Sequence, residues 1–183
     1  MDASNLSPSE IAETGKKHYQ QEEYVQAAEL FALAADGYAA AGEPLQAAEM
    51  ANNRSVALLQ GGEAQAALNA VGATEEVFSE AGDTRRQAMA LGNRAAALAG
   101  LGQNEEAEKV YWESARLLGE IGERDMRASV LQAISKLQLK GGRYGEALAS
   151  MDSGLEGVER LSLPKRLIRK LIRIPMKMLG RGS

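Results

Sequence analysis

The sequence predicts an all-α fold: an α-solenoid of four antiparallel helix–turn–helix repeats, with a basic amphipathic capping helix near the C-terminus. The first observation is a 40-residue period, which small residues and glycines follow along most of the chain. A fixed period of this length is typical of stacked units that bury their apolar faces only against neighbours. The second observation is composition: aromatic residues make up only 4% of the 183 residues and alanine is abundant, which favours close-packed helices over sheets. The periodic positions are Ala27, Ala67, Ala107 and Ala147; Gly42, Gly82 and Gly122; Gly62, Gly102 and Gly142; and Gly15, Ser55, Ala95 and Ser135.

The helix boundaries follow from capping residues and from the periodic glycines. Ser7, Pro8 and Glu10 form the pattern of a capping box with proline at the first helical position. Asn104 is the predicted N-cap of a later helix, and Gly102 and Gly122 are predicted helix ends. The predicted helices are 8–21, 24–41, 44–60, 64–81, 84–101, 104–121, 124–140 and 144–160, with a ninth near 165–179. The predicted domains are a solenoid over residues 1–160, with repeats at about 4–43, 44–83, 84–123 and 124–160, and a basic segment over residues 161–183.

The net charge of −4 conceals an uneven distribution along the chain. Residues 161–183 hold seven of the 21 basic residues and no acidic one, which leaves 14 basic against all 25 acidic residues and a net charge of −11 for residues 1–160. An acidic body disfavours nonspecific binding to nucleic acid, which needs a basic face. The chain shows no signal peptide and no run of eighteen apolar residues, so we expect a cytoplasmic protein without a membrane span.

The residues that catalysis needs are scarce in this chain. His18 is the only histidine, and the absence of cysteine excludes disulfide frameworks and thiolate nucleophiles. The sequence contains no phosphate-binding glycine loop, paired-histidine metal motif or nucleophile elbow. We therefore expect no enzymatic activity, no cofactor and no metal, and we expect His18 in the core or at its boundary. Trp112, the only tryptophan, is expected to cover a neighbouring second helix, with a dimer contact as the alternative.

Four positions recur at fixed spacing within each repeat: a small residue in the first helix, an alanine twelve later, a larger residue four after that and a small residue three further on. They are Ala95, Ala107, Tyr111 and Ser114 in the third repeat, and Gly15, Ala27, Phe31 and Ala34 in the first. This pattern resembles the tetratricopeptide repeat (TPR), in the long form of kinesin light chains and bacterial regulators. The resemblance implies a right-handed superhelix whose first helices line a concave groove. It also implies a noncatalytic scaffold or adaptor that binds a peptide or helix of another protein in that groove.

By this resemblance, the first helices supply the residues that line the groove. They are Lys16 and Tyr19; Asn52, Asn53, Val56 and Leu59; Met89, Gly92, Asn93, Ala96 and Ala99; and Gln132, Lys136 and Leu139. Asn53 and Asn93 are equivalent positions, and an amide can hold a peptide backbone because it offers both donor and acceptor groups. The alternative is that these amides cap loops or bond neighbouring helices.

The third repeat has few side chains on this wall, because Gly92, Ala96, Ala99 and Gly100 all fall there. A mid-helix glycine costs about 1 kcal/mol relative to alanine, so Gly92 needs another reason than helix stability. One interpretation is a depression between Leu59 and Leu139 that receives an apolar side chain of the partner. The alternative is closer packing between helices.

The basic segment is strongly amphipathic when its residues are placed on a helix. Its apolar side holds Leu167, Ile168, Leu171 and Ile172, and its basic side holds Arg166, Arg169, Lys170 and Arg173. Leu171 continues the 40-residue register of Leu91 and Leu131, so we interpret the segment as a cap over the last apolar face. The alternatives are attachment to an anionic membrane surface, as in a peripheral scaffold, and occupation of the concave groove as an internal ligand. A structural homo-oligomer is a further alternative for the whole chain.

Overall fold

The computed structural model describes residues 6–155, and all regular structure in that range is α-helical. The helices are α1 (Pro8–Gln20), α2 (Tyr24–Ala40), α3 (Pro44–Gln60), α4 (Ala64–Val71), α5 (Thr74–Glu80), α6 (Thr84–Gly100), α7 (Asn104–Glu120), α8 (Arg124–Lys140) and α9 (Tyr144–Leu155). The predicted all-α fold is therefore confirmed for the described residues, where most predicted boundaries agree to within one residue. The predicted helix near 165–179 and the end of the predicted helix 144–160 lie outside the described residues.

Seven turns in the described range share one backbone geometry and recur every 20 residues. In each turn one residue has a positive φ, between 63° and 83°, and the N–H of the next residue donates to a carbonyl five positions earlier, at 2.8–3.0 Å. This is the Schellman arrangement, which ends a helix on a left-handed residue. Six of the residues are the predicted glycines, and the first is a glutamate. The positions are Glu22, Gly42, Gly62, Gly82, Gly102, Gly122 and Gly142.

The predicted capping box at the start of α1 is confirmed, with Pro8 at the first helical position. The Ser7 hydroxyl accepts from the backbone N–H of Glu10 (3.3 Å), and the Glu10 carboxylate accepts from the backbone N–H of Ser7 (2.9 Å). These hydrogen bonds with Ser7 lower the pKa of Glu10, because they favour the ionised carboxylate.

At two other helix starts the capping differs from the prediction. Asn104 is the first residue of α7 rather than its N-cap, so the predicted cap is wrong, and its buried Oδ1 accepts no hydrogen bond from residues 6–155. Asp83, which the sequence analysis did not select, caps α6 by accepting from the backbone N–H of Arg86 (2.9 Å). A side-chain cap stands before the first helical residue, as Asp83 does for α6, whereas Asn104 is already inside α7.

The predicted single helix over residues 64–81 is also wrong. The chain forms α4 and α5 there, separated at Gly72, whose φ of 34° and ψ of −122° lie outside the helical region. Glycine adopts such a conformation without the strain that a side chain would add. The equivalent positions 40 residues away hold Ala32 and Trp112, within continuous helices, so the period gave no sign of the break.

The chain falls into two compact units, one up to Val110 and the other from Tyr111 onward. In the first unit the helices pack largely in chain order: α1 on α2, α2 on α3, α3 on α4, α5 and α6, and α6 also on α4 and α5. This sequential packing is consistent with a helical repeat. The buried core residues of this unit include Ile11, Ala12, Ala27, Ala28, Phe31, Ala34, Met50 and Ala57 in one cluster and Ala48, Val71, Phe78 and Ala90 in another. In the second unit α8 packs on α9, and Leu131 and Ile134 are fully buried.

The periodic small residues lie where the two helices of a hairpin touch. The Ser55 hydroxyl on α3 donates to the carbonyl of Ala67 on α4 at 2.9 Å. The Ser135 hydroxyl on α8 donates to the carbonyl of Ala147 on α9 at the same distance. A Cβ atom placed on Gly15 would come within 3.1 Å of an aromatic ring on α2. The twelve-residue spacing in the sequence is therefore the spacing of a direct contact between paired helices.

Candidate functional site

The predicted groove residues of the second and third repeats lie on α3 and α6, which pack against each other. Asn93 Nδ2 donates to Asn52 Oδ1 at 3.2 Å, and Asn52 is only 7% exposed. The amide of Asn93 therefore bonds a neighbouring helix, the role that the sequence analysis gave as the alternative. Asn53 is half-buried and has no hydrogen-bond partner among residues 6–155, which leaves its amide free for a ligand. The 40-residue period makes Asn53 the equivalent of Asn93. The hydrogen bond instead joins Asn93 to Asn52, which is 41 residues away in the chain.

Gly100 is a close-packing residue and not part of a depression. A Cβ atom placed on it would lie 2.9 Å from the Cβ of Ala64 and 3.3 Å from Cδ1 of Leu59. Since real Cβ atoms hardly ever approach a fixed carbon this closely, the missing side chain lets α6 approach α3 and α4. At this position the packing interpretation holds.

The remaining small residues of α6 form a partly exposed strip. Gly92, Ala96 and Ala99 are half-buried and share one side of the helix, because they are separated by four and three residues. Met89 precedes them by one turn and is 41% exposed. The α3–α6 face is the set Asn53, Val56, Leu59, Met89, Gly92, Asn93, Ala96 and Ala99. Its bare strip with one exposed thioether can accept an apolar side chain of a ligand.

Charged side chains of α1, α3 and α6 interact near this face. Lys16 Nζ donates to Glu13 Oε1 at 2.6 Å, and this hydrogen bond, with a smaller contribution from the Glu49 carboxylate, raises the pKa of Lys16. Glu49 Oε2 also lies 3.7 Å from Arg86 Nη1. Neither Glu49 nor Arg86 is among the predicted groove residues, although Glu49 stands 40 residues before Met89 and the 40-residue period indicates it. Because these groups are solvated, they orient a polar ligand more than they hold it.

Aromatic and polar contacts join the C-terminal end of α1 to the following turn and to α2. Tyr19 meets Tyr24 of α2 edge to face, with ring centroids 5.5 Å apart at 62°. Burial raises the pKa of the Tyr19 hydroxyl. His18, half-buried as the boundary prediction has it, pairs through Nδ1 with the Glu23 carboxylate across the turn. Tyr19 therefore packs within its own hairpin and is half-buried.

The predicted groove residues of the second unit all lie on one face of α8. Gln132, Lys136 and Leu139 are separated by four and three residues, and all three are exposed, Leu139 by 42%. Trp112 on α7 is exposed to the same degree, so much of its ring stays uncovered. The predicted cap or membrane residues, 166–173, lie outside the described residues.

Residues 6–155 hold neither a cluster of metal-ligating side chains nor a helix that could span a membrane. No three histidine, aspartate or glutamate side chains between residues 6 and 155 lie together as metal ligands. None of the helices described there combines the length and the apolar character needed to cross a bilayer. A comparison of the chain with profiles of known protein families and with curated proteins finds no match in either.

Proposed function

We propose that this chain is a noncatalytic protein-interaction module of the long TPR type. Its four repeats form a right-handed superhelical solenoid that binds a peptide or helix of another protein along the first helices. The observation that carries this proposal is the turn that recurs every 20 residues from Glu22 to Gly142. The equivalent hairpin bonds, Ser55 to Ala67 and Ser135 to Ala147, support the same repeating unit.

The α3–α6 face supports a particular way of binding. An apolar side chain of the ligand settles on the strip of Gly92, Ala96 and Ala99, and Met89 adapts to its shape. The free amide of Asn53 donates to and accepts from the ligand backbone, which holds a peptide without reading its sequence. The charged groups of Lys16, Glu49 and Arg86 lie near enough to favour one direction of the ligand.

The test is selection of peptides from a random displayed library on the intact protein, followed by measurement of Kd with variants. Gly92→Leu fills the strip, so we expect it to weaken the selected peptides at least about tenfold while thermal melting stays cooperative. Lys109→Leu, which adds the same side chain to an exposed position of α7, is the matched control and should keep the affinity. Equal affinity in the Gly92 variant, or failure to select any peptide, would remove the proposal.

A second candidate function rests on the seven basic residues and no acidic residue of residues 161–183. Such a segment attaches a peripheral scaffold to anionic lipid at about 1 kcal/mol for each basic residue near the surface. Co-sedimentation of the intact protein with vesicles that contain phosphatidylserine tests this. Replacement of Arg166, Arg169, Lys170 and Arg173 by glutamine should abolish sedimentation if the segment is the anchor. Sedimentation that persists in this variant, or that fails in the wild type, contradicts the membrane role.

A further inference from the structure

The first unit has a second groove, on the side of α3 away from the α3–α6 face. This α2–α3 groove is lined by Tyr24, Val25, Ala28, Glu29, Ala32, Leu33, Asp36, Arg54, Ala57, Leu58, Gly61 and Glu63, and its volume is about 530 Å³. Val25 is 61% exposed and Leu33 is 49% exposed, although both are large apolar residues. Arg54 and Leu58 point away from Asn53 and Val56, because each is rotated by about 100–160° from them around the axis of α3. The groove is therefore separate from the site of the proposed function.

The 40-residue register gives the α2–α3 groove a counterpart for comparison. A cleft of about 460 Å³ beside α4, α5 and α6 is lined by nine residues, and seven of them stand 40 positions after a lining residue of the α2–α3 groove. Arg94, the counterpart of Arg54, is held there by Glu75, with Nη1 3.1 and 3.2 Å from the two carboxylate oxygens. The residue 40 positions before Glu75 is Ala35, which cannot hold Arg54 in the same way. The residue 40 positions before Ala73 is the exposed Leu33. The α2–α3 groove is thus the more apolar of the two, on an unbroken helix.

The rim of the α2–α3 groove is negatively charged. Glu29, Asp36 and Glu63 are exposed, and no hydrogen bond or ion pair within residues 6–155 engages their carboxylates. Arg54 is the single basic residue of the lining and is equally without a partner in that range. Three carboxylates against one guanidinium leave a net charge of −2 around an apolar floor. This combination suits a helix with one apolar and one cationic side.

The chain contains one segment of that chemistry, residues 161–183. Placed on a helix, Leu167, Leu171 and Ile174 follow the spacing of i, i+4 and i+7 before Pro175, which is the anchor pattern of a helix that binds in a groove. Basic residues stand on either side of this row, and the segment contains no acidic residue that would repel the carboxylates of the rim. We propose that residues 161–183 of one copy of this chain bind in the α2–α3 groove of a second copy. Because each copy carries one groove and one segment, the segment of each copy binds in the groove of the other, and the two copies form a closed dimer.

Cysteine trapping in the intact protein tests the location, since the wild-type chain has no cysteine. One chain carries Leu33→Cys and a differently tagged chain carries Leu171→Cys; mild oxidation should give a mixed disulfide between them. Ala73→Cys, the exposed counterpart of Leu33 in the other cleft, replaces it in the control and should give little product. Equal yields from the two positions would overturn the proposal. So would a disulfide that forms only inside a single chain carrying both cysteines.

Charge substitutions test the chemistry, with the dimer dissociation constant measured by analytical ultracentrifugation. Asp36→Lys should weaken the dimer about tenfold, and Arg54→Glu should strengthen it by a similar factor. Glu76→Lys changes the same register position in the other cleft and should leave the constant unchanged. A misfolded variant cannot explain a stronger dimer, so the Arg54 variant keeps the test decisive. The proposal is refuted if the wild-type protein is a monomer, or if none of the three substitutions changes the dimer dissociation constant. It is also refuted if the segment binds phosphatidylserine vesicles and forms no disulfide with the Leu33→Cys chain.

Discussion

At the scale of single residues, Glu22 is the one position of the seven described turns where a side chain occupies the left-handed conformation. Its φ is 63°, close to the values of the six glycines. A side chain there costs about 1–2 kcal/mol, because its Cβ crowds the following carbonyl. The turn nevertheless forms, since the N–H of Glu23 still donates to the carbonyl of His18 at 2.9 Å. The repeating turn is therefore set by the hydrogen bond, and glycine lowers its cost.

Replacement of Glu22 by glycine should stabilise the protein by about 1 kcal/mol, because the strain is removed while the greater freedom of glycine in the unfolded chain offsets part of the gain. This corresponds to a rise of about 2–4 °C in Tm, measured by circular dichroism. The reciprocal control is Gly42→Ala, where a Cβ meets nothing within 4 Å, so that only the backbone conformation changes. A loss of stability in the control with no gain at Glu22 would show that glutamate makes a compensating contact.

The capping box of α1 gives a prediction of pH dependence. The folded pKa of Glu10 lies below its ordinary value of 4.5, so its contribution is fully present above that pH and is lost as the pH falls through the folded pKa. Ser7→Ala removes the hydroxyl that Glu10 bonds, and we expect its effect on Tm to be largest at neutral pH and to shrink in acid. Ser9→Ala, an exposed neighbour outside the box, serves as the control and should show no such trend. An effect of Ser7→Ala that does not change with pH would contradict the assignment.

At the scale of helices, the sequence predicted types and ends well because both follow from local signals. Six of the seven turns are marked in the sequence by a glycine, and Ser7 with Glu10 is a complete capping pattern. The break at Gly72 escaped prediction because a glycine within a helix and a glycine that ends one look alike in sequence. The contact of Asn93 with Asn52 escaped for another reason, since it depends on how far α6 is displaced along α3. Periodicity fixes equivalent positions but not the offset between neighbouring helices.

The approach of α6 to α3 and α4 gives a prediction at this scale. Gly100→Ala should destabilise the protein by about 1–3 kcal/mol, because the new Cβ would lie 2.9 Å from the Cβ of Ala64 and the helices must separate. Gly145→Ala, where nothing lies within 4 Å, should instead stabilise it by about 0.5–1 kcal/mol through helix propensity. Chemical denaturation measures both. Stabilisation by Gly100→Ala would mean that the helices have room to move apart.

At the scale of the whole molecule, the recurring turn implies that units can be removed in register. A chain without residues 43–82 joins Gly42 to Asp83, so the residue after the turn still donates to a carbonyl five positions earlier. We expect this chain to melt cooperatively at a lower Tm, because stability in such arrays is close to a sum of repeats and their interfaces. A chain without residues 43–81 shifts the register by one residue and should lose its cooperative transition. Equal behaviour of the two deletions would contradict the proposed repeat.

The amide pair between α3 and α6 has one further consequence. If the two helices slid past each other by a turn, Asn52 would keep its buried oxygen but lose the donor that satisfies it, at a cost of about 1–3 kcal/mol. The approach of Gly100 to the Leu59 side chain, also between these helices, is apolar and carries no such penalty. The two asparagines thus fix the register of α3 against α6. Leucine at both positions would favour tighter association of these helices but would leave the offset between them less well defined.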